Sequence, residues 1–426
     1  MKVHLHDHSG HSFTAHLSRH LAARGHDVVH GYSAQFESPH GRLETDDDSP
    51  PGLRMQPVSA AVPFVKYSPL RRTRYELSYA TSWQRELDRE RPDVVLACNV
   101  PLFTLARMRR YFAERGQPWV LWHQDIYSPA VAGEAARVLP SRAADLVRIR
   151  LERMERAQVA QADAVVAIDE SFRAEYERWG LPTGNVHVLP NWASIEEIAP
   201  GRRDNGWAER HRLPGDGLRL MYAGTLGRKH NPMLLVEVLD AVLARGVAAT
   251  LTVASEGAAA DGLAAATSSR EDVRVLPFQP AGEVGEMLAS ADVCLALLEP
   301  AAAEFSVPSK VLSYLCAGRP TIALVPDRNA AAVAVAQTGG FVDAPSPEGA
   351  QRAAAWAAGL WADAGARSAL GARSREYAVR TFDIQRIGAE FEKVLGDVVA
   401  GARQRTDRSG SGPQRRGVTN SARYDR

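Results

Sequence analysis

KVHLHDHSGHSFTAHLSRHLAARGHDVVH, residues 2–30, is the stretch that decides the fold. Residues 2–6 read as a strand. Residues 13–24 follow as an amphipathic helix, with Phe13, Leu17 and Leu21 four apart on one stripe. Gly25 stops the helix and residues 27–30 form a second strand. One βαβ unit within about 30 residues predicts a parallel sheet with helices on both faces.

Working outward, strand signals recur at residues 93–98, 118–122, 164–168 and 186–189, with helical periodicity over 170–179. The polar, Pro- and Gly-containing residues 190–216 lack an apolar period and mark an internal boundary. A second alternation follows. Its strands are 219–222, 249–254, 273–276, 293–297 and 321–325, and its helices 232–245, 282–290, 307–316, 348–360 and 366–381. Ile384, Ile387, Phe391 and Val394 keep helical spacing in a last helix, 383–399. The expected division is an N-terminal α/β domain (1–195), a linker (196–215), a C-terminal α/β domain (216–382) and a helix packing back on the first domain (383–401). An Arg-rich disordered tail (402–426) ends the chain. The expected fold class is α/β, two Rossmann-like parallel-sheet domains facing a cleft.

Composition narrows the function. A chain of 426 residues, 45% hydrophobic and 24% charged, is neither collagen, coiled coil nor wholly disordered. Its 51 basic side chains against 50 acidic ones give no bulk attraction for nucleic acid. Cys98, Cys294 and Cys316 are odd in number, far apart and set in apolar runs, as buried reduced thiols of a cytoplasmic protein would be. His and Asp interrupt the start of the chain, and no stretch approaches the roughly 20 apolar residues of a membrane span.

Three segments carry chemistry. YAGTLGRKHNP, residues 222–232, leaves a strand through Gly224 and Gly227, passes two cations and opens a helix. Small residues let backbone N–H groups converge at a helix start while Arg228 or Lys229 adds full charge, so the segment fits a diphosphate; it also fits an ordinary turn with solvated basic side chains. It matches neither the dinucleotide glycine fingerprint nor the phosphate loop of NTPases. EFSVPSKVLSYLCAGRPTIAL, residues 304–324, sets Ser306, Val307, Pro308 and Ser309 before a helix ending at Gly318. Ser306 or Ser309 would cap that helix, whose start offers N–H groups to an anion or a sugar. VHVLPNW, residues 186–192, runs from a strand into a turn at the domain boundary.

In this order the three segments resemble glycosyltransferase family 4, the retaining nucleotide-sugar transferases of GT-B fold, in a branch with a PSK-type site helix. The likeness runs over residues 1–399 and takes in LAARGHDVV, WVLWHQDIYS, QADAVVAIDESFRAEYERWG and ADVCLALL. It implies a donor held by the C-terminal half, an acceptor held by the N-terminal half and transfer at the cleft with retained anomeric configuration. By position it implies Lys229, with Arg228 beside it, on the diphosphate; Gly224, Thr225 and Gly227 in the same turn; Leu276, Pro277 and Phe278 at the base; and His123 at the donor sugar. Ser306, Val307, Ser309, Lys310 and Ser313 belong to the donor side, and Gly10, His11 and Asp125 to the acceptor side. The family's paired glutamates fall at Phe305 and Ser313 here, which leaves Glu304 as the nearest carboxylate. The implied co-substrate is a nucleotide sugar, preferably UDP-linked, with no cofactor. The implied acceptor is a glycan or a lipid-linked envelope precursor. A nucleotide-sugar epimerase of the same fold, or a sugar-nucleotide-binding protein without catalysis, are the alternatives.

Four further features bear on where a site could lie. His123 ends an apolar strand, where ligand groups gather in parallel α/β proteins, though a lone histidine there also serves structure. His4, His6 and His8 alternate on one strand face, but no carboxylate–histidine spacing makes them a metal site; Asp46, Asp47 and Asp48 read as a solvated acidic loop. Residues 54–75 read as a basic and apolar loop, with Arg54, Lys66, Arg71, Arg72 and Arg74, which either packs on its own domain or meets an anionic membrane.

Overall fold

A computed structural model describes residues 1–36, 41–65, 68–128, 140–227, 230–299 and 309–410, with only the backbone of 406–410. Among these residues two sheets form. The first contains β1 (Lys2–Asp7), β2 (Asp27–Ser33), β3 (Leu53–Val58), β4 (Val94–Cys98), β5 (Trp119–His123), β6 (Ala164–Ala167) and β7 (Val186–Val188), in the order β3-β2-β1-β4-β5-β6-β7. The second contains β8 (Leu218–Ala223), β9 (Ala249–Ala254), β10 (Val273–Leu276), β11 (Val293–Leu297), β12 (Thr321–Leu324) and β13 (Phe341–Asp343), in the order β10-β9-β8-β11-β12-β13. All pairings are parallel; Val3, for example, lies between Val28 and Val94.

Parallel sheets are covered on both faces, so their central strands must be apolar throughout. VVLAC, WVLWH and VCLAL are buried at every position. Strand order reverses between β1 and β4 and between β8 and β11, and ligands of such sheets bind beyond the strands' carboxyl ends at that reversal. In the N-terminal half those ends deliver Asp7 and Asn99; in the C-terminal half they deliver Gly224.

The last helix, Ile384–Gly410, returns to the N-terminal half and packs on helix Ser12–Ala23 and on β4 and β5. Phe391 sits 4.6 Å from the Trp122 ring and 6.0 Å from that of Trp192, so β5 and the domain-boundary turn share one aromatic cluster with this helix. Arg375, from helix Ala364–Thr381, donates to the Ile195, Ile198 and Cys316 carbonyls. One side chain thereby ties the boundary turn to the end of helix Lys310–Cys316.

Three sequence readings need correction. Residues 54–75 are not a loop: Arg54 lies in edge strand β3 and residues from Pro69 open helix Pro69–Glu90, whose Tyr75, Tyr79 and Trp83 are buried. The basic side chains concealed that stripe. Residues 196–215 are not a plain linker, because helix Gly206–Arg210 buries Trp207, whose Nε1 donates to Gln279 Oε1 at 3.0 Å. The final helix continues to Gly410, beyond the expected start of disorder at 402, with Arg405 2.7 Å from Asp163 and Arg403 3.8 Å from Asp93. Of the two capping candidates, Ser309 makes no side-chain capping hydrogen bond and Ser306 lies outside the described residues. Residues 411–426 lie outside the described residues.

Candidate functional site

On the C-terminal side, β8 ends at Gly224, whose φ of 136° is open to glycine and strained for other residues. A Cβ there would lie 2.9 Å from Lys310 Cε, the outer part of a flexible side chain, so it is the backbone angle that selects glycine and Lys310 that lies against it. Lys310 Nζ stands 4.8 Å from the Tyr222 ring centroid, so a cation sits over the end of β8. Tyr314 Oη accepts from Ala223 N and donates to its carbonyl, locking helix Lys310–Cys316 to the same strand end. Ser255 Oγ accepts from Leu226 N at 3.0 Å, and His230 Nδ1 from Gly227 N at 3.0 Å. Thr225 and Ser309 are exposed and Ser313 is half-buried. Pro277 is exposed beside half-buried Phe278, whose N–H donates to Glu256 Oε1. Arg228, Lys229, Glu304, Ser306 and Val307 lie outside the described residues.

On the N-terminal side, Asp7 is fully buried at the end of β1. Its Oδ2 accepts from His11 N and Thr14 Oγ1, both at 2.6 Å, and its Oδ1 from Ser9 N at 3.0 Å and Asn99 Nδ2 at 3.2 Å. His11 Nδ1 lies 3.3 Å from Asp7 Oδ2. Burial alone would raise the Asp7 carboxyl, but the His11 charge and the His11 and Thr14 hydrogen bonds hold it well below the usual carboxylate range. Burial pushes His11 down, but Asp7, by charge and hydrogen bond, and Asp125 raise it above its ordinary value. Gly10 is buried and Asp125 half-buried. The resemblance brought Gly10, His11 and Asp125 forward; Asp7 and Asn99 were missed. The signal for both was a polar residue closing a buried apolar strand.

His123 ends β5, where the sequence reading put it. It is 5% exposed, its Nδ1 is 2.7 Å from Tyr176 Oη and its Nε2 3.5 Å from Glu155 Oε1. Its ring stacks on Tyr176, with 8° between the planes. Nδ1 is thus bonded to Tyr176, and Nε2 faces the Glu155 carboxylate. Glu155 also accepts the Tyr127 and Ser128 N–H groups. Burial would raise the Glu155 carboxyl, yet hydrogen bonding and charge from His123 bring it below its ordinary value. The helix before β6 thus fixes the turn after β5 through Glu155.

Among the described residues no group of three or more His, Cys, Asp or Glu could hold a metal ion, and no helix is long and apolar enough to cross a membrane. The three cysteines are free and buried. Asp46, Asp47 and Asp48 are exposed, with Asp46 paired to Arg42.

Residues 11–197 match the family model described as Glycosyltransferase Family 4, and residues 217–358 the model described as Glycosyl transferases group 1. No curated protein matches the sequence. Among solved structures, sucrose-phosphate synthase from Thermosynechococcus elongatus is 15% identical, over 94% of this chain and 99% of its own, with a TM-score of 0.71. HepE of Anabaena, solved in complex with UDP-glucose, is 13% identical over 93% of this chain and 100% of its own, with a TM-score of 0.67. A glycosyltransferase from Rickettsia africae is 10% identical over 93% and 98%, with a TM-score of 0.65. At such identities the likeness is one of fold, the two-domain GT-B arrangement. With two adjoining family models spanning most of the sequence and that fold beneath them, the chain belongs to glycosyltransferase family 4.

Proposed function

We propose that this glycosyltransferase is a retaining, metal-independent enzyme. It moves a sugar from a nucleoside-diphosphate sugar, UDP-linked by preference, to a hydroxyl of a glycan or lipid-linked envelope precursor. The observation that carries the reading is the Lys310 ammonium standing over Tyr222 beside Gly224, at the strand reversal of the C-terminal sheet. A cation at a close-packed backbone turn is what a diphosphate needs. That HepE was solved with UDP-glucose supports the same donor class.

In this reading Lys229 and Arg228 join Lys310 on the diphosphate. Gly224, Thr225 and Gly227 give it backbone access, Pro277 and Phe278 border the base, and Glu304, Ser306, Val307, Ser309 and Ser313 complete the donor side. Gly10, His11 and Asp125 face the acceptor. His123 reaches the donor sugar from the end of β5, with Glu155 and Tyr176 beside its ring. No side chain forms a covalent intermediate. The leaving diphosphate takes the acceptor's hydroxyl proton on the same face of the sugar, so the C–O bond to phosphate breaks as the new glycosidic bond forms.

Leu70 is 86% exposed on helix Pro69–Glu90, with Arg71 and Arg74 exposed beside it. That mixture supports peripheral contact with an anionic membrane at the inner face of the cell. The deciding experiment is proton NMR of the first sugar product formed from UDP-sugars with and without a panel of glycan acceptors. Acceptor-dependent product with the donor's anomeric configuration is expected. An inverted product, or an acceptor-independent epimer, would overturn the reading.

A further inference from the structure

Three helices pack side by side over the N-terminal sheet: Pro69–Glu90, Leu102–Arg115 and Ser141–Gln161. Together they hold 14 arginines, no lysine and eight acidic residues, in a chain nearly balanced at 51 basic to 50 acidic. Most of those acids are already engaged. Glu76 pairs with Arg72 and Asp88 with Arg115, Asp145 and Glu152 both face Arg148, and Glu155 holds the turn after β5. Glu114 is exposed, but at the far end of its helix. Arg74, Arg107, Arg110, Arg150 and Arg153 are left exposed on the outer side.

Leucines stand among these charges. Leu70, Leu77 and Leu146 are 86%, 40% and 69% exposed, half of the large apolar side chains exposed among the described residues. Their spacing repeats: Leu70, Arg74 and Leu77 share a stripe of the first helix, and Leu146, Arg150 and Arg153 a stripe of the third, each at i, i+4 and i+7. Height above the sheet repeats as well. Glu76 accepts the Phe103 N–H and Glu155 the Tyr127 and Ser128 N–H groups, so both carboxylates lie level with the sheet's carboxyl edge. Leu70 and Leu146 come six and nine residues earlier, about 9 and about 14 Å further out along their helices. That is the edge on which Gly10, His11 and Asp125 lie.

We propose that helices Pro69–Glu90 and Ser141–Gln161 form one docking face for an anionic lipid bilayer, with Leu70, Leu77 and Leu146 entering the headgroup layer, the arginines meeting lipid phosphates, and the acceptor side of the cleft opening along the membrane surface. The inference rests on the peripheral-membrane reading given above and adds the second helix, the residues of the face and the orientation of the cleft. Leucine between guanidinium groups suits a bilayer, where the aliphatic chain leaves water while the charge stays at phosphate level. Arginine without lysine suits the same partner, because its planar fork binds phosphate with two hydrogen bonds. A nucleic acid would satisfy the arginines but leave three leucines in water.

The test is flotation of the full chain with vesicles of phosphatidylcholine, with and without phosphatidylglycerol. The wild type should float with the anionic vesicles only and release as salt rises. Binding should weaken roughly tenfold in L70S/L146S and roughly tenfold or more in R74Q/R150Q. R202Q/R328Q, an equal loss of charge on the C-terminal half, should stay within about twofold of the wild type. All six positions are exposed, so the melting temperatures should match that of the wild type. Equal weakening in R202Q/R328Q, or undiminished binding in L70S/L146S with duplex DNA displacing the vesicles, would overturn the docking face while leaving membrane contact in place. A wild type that ignores anionic vesicles would overturn both. Thermal shift with UDP and turnover on a soluble glycan report separately on sugar transfer.

Discussion

The two halves share a topology but fill their interiors differently. Under helix Pro69–Glu90 the N-terminal sheet carries a buried column of histidines. Trp83 Nε1, which can only donate, gives its proton to His4 Nε2 at 3.0 Å, so His4 carries its own proton on Nδ1 and donates it to Glu90 Oε2 at 2.8 Å. Tyr79 Oη lies 3.1 Å from His6 Nε2, and Tyr75 Oη bridges His8 Nε2 and Ser33 Oγ. Among the described residues the C-terminal sheet has no such column: β8, β9, β11 and β12 bury Leu, Val, Ala and Ile against helix Met233–Leu243. One half is held largely by directional bonds among buried polar rings, the other largely by aliphatic packing, with its one buried carboxylate among the described residues, Asp292, bound by Arg203 and the Arg219 N–H at the edge of the core.

Acidification should separate the halves most. Burial drives His8 down to about 3, His30 to about 4 and His6 well below its ordinary value. Their folded values lie below their unfolded values, so the unfolded chain binds more protons and stability falls with falling pH. The loss should start below about pH 6.5 and grow to about pH 4, reaching several kcal/mol. Asp7, also held low, adds to the loss near and below pH 4, whereas His11, held high, opposes it weakly from the neutral side. Amide exchange, corrected for its intrinsic pH dependence, should accelerate in β1 before β8; simultaneous loss would erase the contrast.

Truncation of Trp83, fully buried and stacked 3.8 Å from the His6 ring, should cost about 3–5 kcal/mol in W83A, read by urea unfolding. Equal damage from a buried C-terminal leucine is compatible with the account; a loss below about 1 kcal/mol at Trp83 is not. Gly31→Ala is a finer probe, because its Cβ would come within 2.6 Å of His6 Nδ1 and 3.0 Å of His4 Nε2. The overpacking should cost about 1–3 kcal/mol, with the N-terminal half bearing the change. Arg54→Ala should be nearly silent, within about 0.5 kcal/mol, since its 3.5 Å pair with Asp27 is solvent-exposed.

What the sequence disclosed follows the same divide. Short apolar runs such as VCLAL, too brief for a helix of their own and bounded by turns, read as buried strands, and they marked both sheets. Helix Pro69–Glu90 escaped because Arg71, Arg72 and Arg74 crowd its exposed side, while its buried side is built from tyrosine and tryptophan, whose polar tips weaken an apolar count. The site was legible where a backbone need selects residue type, as at Gly224. It was not legible where function depends on partners far along the chain: nothing near Asp7 announces Asn99, and nothing near His123 announces Glu155 and Tyr176. Those bonds exist only once parallel strands lie side by side.

The central claim, a nucleotide-sugar donor held by the C-terminal half, is tested most directly by thermal shift with UDP, GDP and ADP and their sugars, because a ligand that binds only the folded protein must raise its melting temperature. One nucleotide, UDP by preference, should raise the transition selectively, and Lys229→Ala should abolish the rise and lower turnover by about an order of magnitude or more while leaving the unliganded transition in place. No shift with any nucleotide at millimolar concentration, or an undiminished shift in the variant, would contradict it.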